Sequence, residues 1–331
     1  MAMIKAARFS RFGKAHEVVE LVDLPDPGAP GEGEVIVDME ACPINPADLL
    51  QFEGLYGAEP PPLPVFPGGE GVGIVRELGA GVTHLKAGDR VLLLFAGRGN
   101  WRTRLKARAA ALFPLPPADP LQLAMLTVNP ATARLMLTQF VTLQPGEWVV
   151  QNAANSGVGR NVIALARAAG VRTINVVRRA DLVGELEAAG GDVVVVDGGG
   201  LAREVESITG KEHRPRLGID AVAGESTLHL GHCLADGGII VNYGMLSATP
   251  CGVHPSDIIF RDVSLRGFWL SRWFLTASPE ERRRTYAELT GLVANGTIHV
   301  PVEATYPLAR ISDALAHAAR PGRNGKVLLT A

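Results

Sequence analysis

The run Asn152-Ala153-Ala154-Asn155-Ser156-Gly157-Val158-Gly159 consists almost entirely of small residues. Such a run lets backbone N–H groups come close to an anion, and a helix that begins there adds the favourable end of its dipole. The apolar Trp148, Val149 and Val150 stand in the strand segment 148–152 that leads into it. After it, Val158, Val162, Ile163, Leu165, Ala166 and Ala169 fall on one helical face, and Gly170 is placed to end that helix. Strand, tight turn and helix in this order form the pyrophosphate-binding unit of a dinucleotide fold. Ala153 and Ser156 stand where glycine is commoner, so a tight turn without a ligand is the alternative.

The identity of the dinucleotide is decided about 20 residues further on, where a carboxylate would hydrogen-bond the ribose 2′-OH of NAD. Arg178 and Arg179 stand there instead. A guanidinium fork suits a 2′-phosphate and a carboxylate repels it, so the expected cofactor is NADPH; the bland alternative is a solvated basic loop. Asp181, the nearest carboxylate, reads as the N-cap of the next helix. His229 and His232 stand three apart on an expected helix beside Cys233. They could bring two imidazoles to one metal, but no third ligand stands at a suitable spacing, and a helix-surface pair also accounts for them.

These residues need a scaffold. Alternating apolar residues from Val35, with short apolar runs at 73–75 and 91–95 between Gly- and Pro-rich turns, predict a β domain over residues 1–124. From 125 to 270 short β-branched runs alternate with alanine-rich helical segments, the pattern of an α/β doubly wound domain. Its six expected strands cover 148–152, 173–177, 193–196, 217–222, 239–243 and 263–268, which makes a six-stranded parallel sheet. Residues 271–331, with helices near 279–293 and 309–319 and a strand at 326–330, are expected to rejoin the first domain.

The chain of 331 residues carries 32 Lys and Arg against 34 Asp and Glu, without the basic excess that nucleic-acid binding demands. Its three cysteines, Cys42, Cys233 and Cys251, are odd in number and widely spaced, which suits a reducing cytoplasm better than a disulfide framework. No uninterrupted apolar run approaches the roughly 18 residues of a membrane span, so neither membrane nor nucleic acid is an expected partner.

The stretch Gly68-Gly69-Glu70-Gly71-Val72-Gly73, followed by Gly88-Asp89-Arg90-Val91, resembles the signature of the medium-chain dehydrogenase/reductase superfamily, and the likeness runs over nearly the whole chain. It implies a GroES-like β domain joined to a Rossmann domain. The zinc alcohol dehydrogenases of that superfamily have a histidine where Gly69 stands, and a four-cysteine zinc lobe over a stretch that here contains no cysteine. Cys42 lies near the place of one of their ligands, but without its histidine partner it reads as a small buried residue. The resemblance therefore implies the zinc-free branch, with no metal.

Within that branch, Gln151 to Gly159, Trp101-Arg102-Thr103, Val128-Asn129-Pro130, Ile174 to Arg178 and Arg266-Gly267-Phe268-Trp269-Leu270-Ser271 resemble the mitochondrial-type trans-2-enoyl thioester reductases more than the quinone oxidoreductases. The implied activity is NADPH-dependent reduction of the double bond of an enoyl-CoA or enoyl-acyl-carrier-protein. The alternatives are a quinone or alkenal reductase, and a non-catalytic NADPH-binding protein.

By the resemblance Tyr56 is the proton donor, although quinone oxidoreductases often have a tyrosine there too. Asn129, Asn155, Ser156, Gly157, Val158, Arg178, Tyr243, Gly244, Met245, Phe268, Trp269, Leu270 and Lys326 fall at cofactor-binding positions. Arg179 matches in part, because the reductases often carry their second arginine where this chain has Ala180. Lys326 could equally be a solvated strand-end lysine. Trp101 and Trp269 are candidate walls for an acyl chain, and Trp101 could equally be a core aromatic. A homodimer paired through the sheet edge around 239–268 is expected. Arg98, Arg102, Arg104, Lys106 and Arg108 are a candidate patch for an acyl-carrier protein, or else a solvated charged face.

Overall fold

The computed structural model describes residues 2–57, 59–94 and 99–330. The chain divides into two compact units, residues 1–128 with 286–331, and residues 129–285. The first unit opens with β1 (Met3–Phe9), β2 (Val19–Pro25), β3 (Glu34–Pro43), β4 (Val72–Leu78), β5 (Arg90–Leu93), β6 (Arg104–Arg108) and β7 (Leu112–Pro114). The second holds β8 (Trp148–Gln151), β9 (Arg172–Val177), β10 (Val193–Val196), β11 (Leu217–Asp220), β12 (Ile239–Asn242) and β13 (Ser264–Gly267). β14 (Val302–Pro307) and β15 (Lys326–Thr330) then return to the first unit.

In the first unit β1 and β2 form an antiparallel pair, and a larger sheet runs β14-β15-β3-β4-β5-β7. β3 is long enough to pair with β6 along its first half and with β15 along its end, while two register shifts against β4 bend it. The core of this unit gathers Phe9, Val37, Met39, Phe52, Val75, Val91, Trp101, Leu315 and Leu329. Phe52, from the helix Pro46–Phe52, lies between two other aromatics, with ring centroids 4.4 Å from Phe9 and 6.2 Å from Trp101.

In the second unit all six strands run parallel in the order β10-β9-β8-β11-β12-β13. Helices cover both faces, which is why its strands read as continuous apolar runs. Val176 belongs to one core cluster and Val177 to another, because successive strand residues point to opposite faces. The chain winds outward from β8 to β10 and returns at β11 beside β8, so the order reverses there, and doubly wound sheets hold ligands at the carboxyl ends of such strands. The helix Gly157–Ala168 ends as expected, with Ala169 as its C-cap and Gly170 left-handed at φ +71.

Two strands of this sheet are shorter than the apolar runs suggest. β11 ends at Asp220 and β12 at Asn242, because the following residues turn over the sheet. The helix Leu270–Thr276 follows β13 after only two residues, too short a connection to leave the second unit, so residues 271–285 belong there instead of with the tail. Phe95, the end of the apolar run at 91–95, lies outside the described residues.

Phe52 is completely buried at the centre of the aromatic stack. Phe52→Ala should cost about 3–5 kcal/mol of stability, read as a lower midpoint in a urea melt of the whole chain.

Candidate active site

The turn after β8 has the features that close backbone approach requires. Ala153 takes a left-handed φ of +47, and the N–H of Ala154 donates to Val176 O at 3.3 Å, tying the turn to the neighbouring strand. Ser156 is the N-cap of the helix Gly157–Ala168, its hydroxyl accepting the N–H of Gly159 at 3.1 Å. Gly159 is required by packing, since a Cβ there would lie 2.5 Å from Ala154 O. Arg160 braces the turn from below, Nε donating to Asn155 O at 3.3 Å while its other end pairs with Glu185. Asn155, Ser156 and Gly157 stay partly open, and Val158 is buried. The Tyr243 phenol lies near the Ser156 side chain. Gly244 is as constrained as Gly159, with Ala221 O 2.6 Å from its would-be Cβ, and Met245 is exposed.

Arg178 stands just past the end of β9, exposed, and its guanidinium makes no ion pair or hydrogen bond among the described residues. Arg179 faces Asp181 at 3.5 Å. Asp181 is therefore not an N-cap. It lies within the short 3-10 turn Ala180–Leu182, and Leu182 occupies the N-cap of the helix Val183–Ala188 without a side-chain bond. A narrow turn of small residues with a free guanidinium beyond the next strand fits a dinucleotide carrying a 2′-phosphate. Asn129 is buried at the start of the helix Asn129–Gln139. Phe268 packs edge-on against Phe140 with centroids 6.3 Å apart. Trp269 is 43% exposed as the N-cap of the helix that begins at Leu270.

In the first unit Tyr56 is half-buried in the loop after the helix Pro46–Phe52, between left-handed Gly54 and Gly57. Trp101 is 1% exposed and packs on Phe52, so it is a core aromatic and not a wall for an acyl chain. Lys326 is likewise no solvated lysine. It is buried at the start of β15, and its ammonium donates to Asn45 Oδ1. The Asn45 amide donates to Glu70 Oε1 at 2.6 Å, and Glu70 Oε2 accepts the N–H of Val128 at 2.9 Å. Asn45 also caps the helix Pro46–Phe52 in a capping box with Asp48. This Asn45–Glu70–Lys326 network was not recognised in the sequence; its legible trace is the capping pattern Asn45-Pro46-x-Asp48.

Burial pushes the Glu70 carboxyl up to about 7 against the pull of Lys326, and burial pushes the Lys326 ammonium down to about 8 against the pull of Glu70. Cys42 is buried, its thiol donating to Asn100 O at 3.5 Å, and burial pushes it far above the ordinary thiol range. Among the described residues no group of three or more His, Cys, Asp or Glu could hold a metal ion. His229 and His232 do not converge, since His229 pairs with Asp197 at 2.8 Å and His232 with Asp257 at 2.7 Å. In the basic cluster Arg104 is neutralised by Asp26 and Asp38, and Lys106 and Arg108 donate to backbone carbonyls. Arg102 stacks on Phe66, and Arg98 lies outside the described residues.

A GroES-like β unit carrying a tyrosine and a buried glutamate, in one chain with a Rossmann unit that has this turn, defines the medium-chain dehydrogenase/reductase class. The chain matches the Alcohol dehydrogenase GroES-like domain over residues 31–117 and the Zinc-binding dehydrogenase family over residues 157–293. It is 40% identical to the mitochondrial enoyl-[acyl-carrier-protein] reductase of Homo sapiens, over 99% of this chain and 89% of that protein. Among solved structures it resembles the Candida tropicalis reductase Etr1p with NADP and crotonyl-CoA, at 26% identity, full coverage of both chains and a TM-score of 0.88. It also resembles Escherichia coli quinone oxidoreductase complexed with NADPH, at 28% identity, 99% and 100% coverage and a TM-score of 0.87. The chain belongs to the enoyl-[acyl-carrier-protein] reductase family of this superfamily.

Removing the Glu70 carboxylate would strand the buried ammonium of Lys326. Glu70→Gln should therefore cost roughly 3 kcal/mol at pH 7. Lys326 binds its proton less tightly folded than unfolded, so the cost of burying its charge is full below about pH 8 and fades only as pH rises above it. Urea melts of parent and variant should therefore lie closer together at about pH 9 than at pH 7.

Proposed function

We propose that this protein reduces the carbon–carbon double bond of 2-enoyl thioesters with NADPH. The observation that carries the reading is its 40% identity, over 99% of the chain, to an enoyl-[acyl-carrier-protein] reductase. When bound, NADPH supplies a hydride from carbon 4 of its nicotinamide to the β-carbon, which leaves negative charge on the thioester oxygen. The chain supplies the rest. Backbone N–H groups of the 152–159 turn hold the pyrophosphate, and Arg178 grips the 2′-phosphate. Tyr56 donates a hydrogen bond to the developing enolate and then gives a proton to the α-carbon, directly or through water. The product is a saturated acyl thioester, with NADP⁺ released.

The acyl carrier is a coenzyme A or an acyl-carrier protein; the neighbour Etr1p forms a complex with NADP and crotonyl-CoA, and the relatives are named for acyl-carrier protein. The likeness to E. coli quinone oxidoreductase supports a second reading, reduction of quinones on the same scaffold. A homodimer is proposed through the open edge of the parallel sheet. Among the described residues β13 has no further strand beyond it, Leu265 on it is exposed, and the preceding helix Pro255–Arg261 exposes Ile258, Ile259 and Phe260. Three free cysteines suit a reducing compartment such as the cytoplasm.

Rates with NADPH and crotonyl-CoA, a longer enoyl-CoA and a soluble quinone test the reading; turnover of the quinone alone would replace it with the second. Tyr56→Phe should lower enoyl-thioester kcat about a hundred-fold with little change in the KM for NADPH. Arg178→Ala should raise the KM for NADPH roughly 10- to 100-fold and leave that for NADH unchanged, which steady-state kinetics with the two cofactors would show.

A further inference from the structure

Asp220, the last residue of β11, is completely buried, and five donors fill its two oxygens. Oδ1 accepts from Asn152 Nδ2 at 2.6 Å and from the N–H groups of Val222 and Ala223 at 2.9 and 3.0 Å. Oδ2 accepts from Thr227 Oγ1 at 2.7 Å and from Asn242 Nδ2 at 2.9 Å. Asn152 opens the turn after β8, and Asn242 closes β12. One carboxylate thus joins the ends of three adjacent parallel strands at the point where the strand order reverses.

The joints are reinforced on both sides. Asn152 Oδ1 accepts the N–H of Ala221 at 2.7 Å, and its amide also donates to Ser226 Oγ at 2.9 Å; that hydroxyl donates to Asp197, which follows β10, at 2.6 Å. Asn242 Nδ2 also donates to Gly244 O at 2.9 Å, shaping the loop that holds Tyr243, whose phenol lies near the Ser156 side chain. The contacts run from Asp220 through Asn152 into the turn on one side, and through Asn242 into the 243–245 loop on the other. Ala153 at φ +47 and Ala223 at φ +68 hold left-handed conformations that residues with a Cβ resist, so these turns persist because their surroundings fix them.

We infer that Asp220 is a positioning residue for the dinucleotide, setting the pyrophosphate turn and the 243–245 loop at one fixed spacing through Asn152 and Asn242. The inference rests on the NADPH reading above. Affinity is gained because the two segments are ordered before the cofactor binds. A merely structural role would lower stability without linking the two asparagines in binding.

The test is a fluorescence titration of NADPH into the protein without acceptor, for the parent, Asn152→Ala, Asn242→Ala and the double variant, with thermal unfolding confirming that each is folded. Each single variant should bind NADPH about ten-fold more weakly, and the double variant about as weakly as either one, because both act through the same carboxylate. Unchanged affinity in the folded single variants, or losses that multiply to about a hundred-fold in the double, would overturn the inference. Asp220→Asn turns an acceptor toward N–H donors and should weaken NADPH at least as much; if it does not fold, the asparagine pair still decides. A parent protein that did not bind NADPH would sink the cofactor reading itself, and this inference with it.

Discussion

Removing a carboxylate from water costs several kcal/mol unless donors replace its hydration, and Asp220 meets that demand with neutral groups from the turns after β8 and β11, the end of β12 and the helix Glu225–Cys233. A parallel sheet leaves its carboxyl ends as separate loops, each free to drift. A fully satisfied buried network removes that freedom because no member can move without stranding another. The turn at 152–159 can then rely on small residues and backbone alone, since its position is set from outside. Ser156 and Gly159 shape its entry into the helix; Asn152 decides where the turn stands.

The first unit solves the same problem with an opposite charge. Glu70 is paired with the Lys326 ammonium through Asn45, and the backbone N–H of Val128 completes it. Burial raises the acid and lowers the base, so neither group keeps its ordinary titration range. Such a pair specifies geometry more than it adds stability. Here it joins the start of the helix Pro46–Phe52, the Gly68–Gly73 signature stretch and the start of β15, three segments far apart in the chain. The loop bearing Tyr56 follows that helix directly, so its origin is fixed by a network on the opposite side from the phenol in sequence.

Much of this was legible from residues alone, where a pattern is set by local geometry. The six strands of the parallel sheet, the helix on the face of Val158 and Ile163, and the left-handed Gly170 follow from periodicity and backbone preference. The place of Arg178 just past the second strand was legible from the same pattern. Trp101 was not, since an aromatic at a core position and one in a binding wall carry the same letter, and only its contact with Phe52 decides. Asp181 looked like a cap because carboxylates favour that place, but a 3-10 turn displaced it. Glu70 and Asp220 were missed as organising groups because their partners, Lys326 and Asn45 in one case and Asn152 and Asn242 in the other, come together only in three dimensions. A trace survives in the polar residue that ends each buried strand, Gln151-Asn152, Asp220 and Asn242, where an apolar run stops on a hydrogen-bonding side chain.

The positions at which zinc dehydrogenases place their ligands are put to other uses in this chain. Gly69 offers no imidazole. Cys42 keeps its proton, because burial disfavours the thiolate and the thiol already has an acceptor in Asn100 O, whereas metal coordination requires the thiolate. Gly71 must lack a side chain because the Cys42 sulfur lies 2.6 Å from where its Cβ would be, so the thiol is packed as well as protonated. Glu70, next to the vacant histidine position, is engaged by Asn45 and Val128. With these groups committed to packing and hydrogen bonds, charge that develops on a substrate oxygen must be met by a hydrogen-bond donor. Tyr56, the proposed donor, carries such a group, since a phenol hydroxyl can release the same proton it donates.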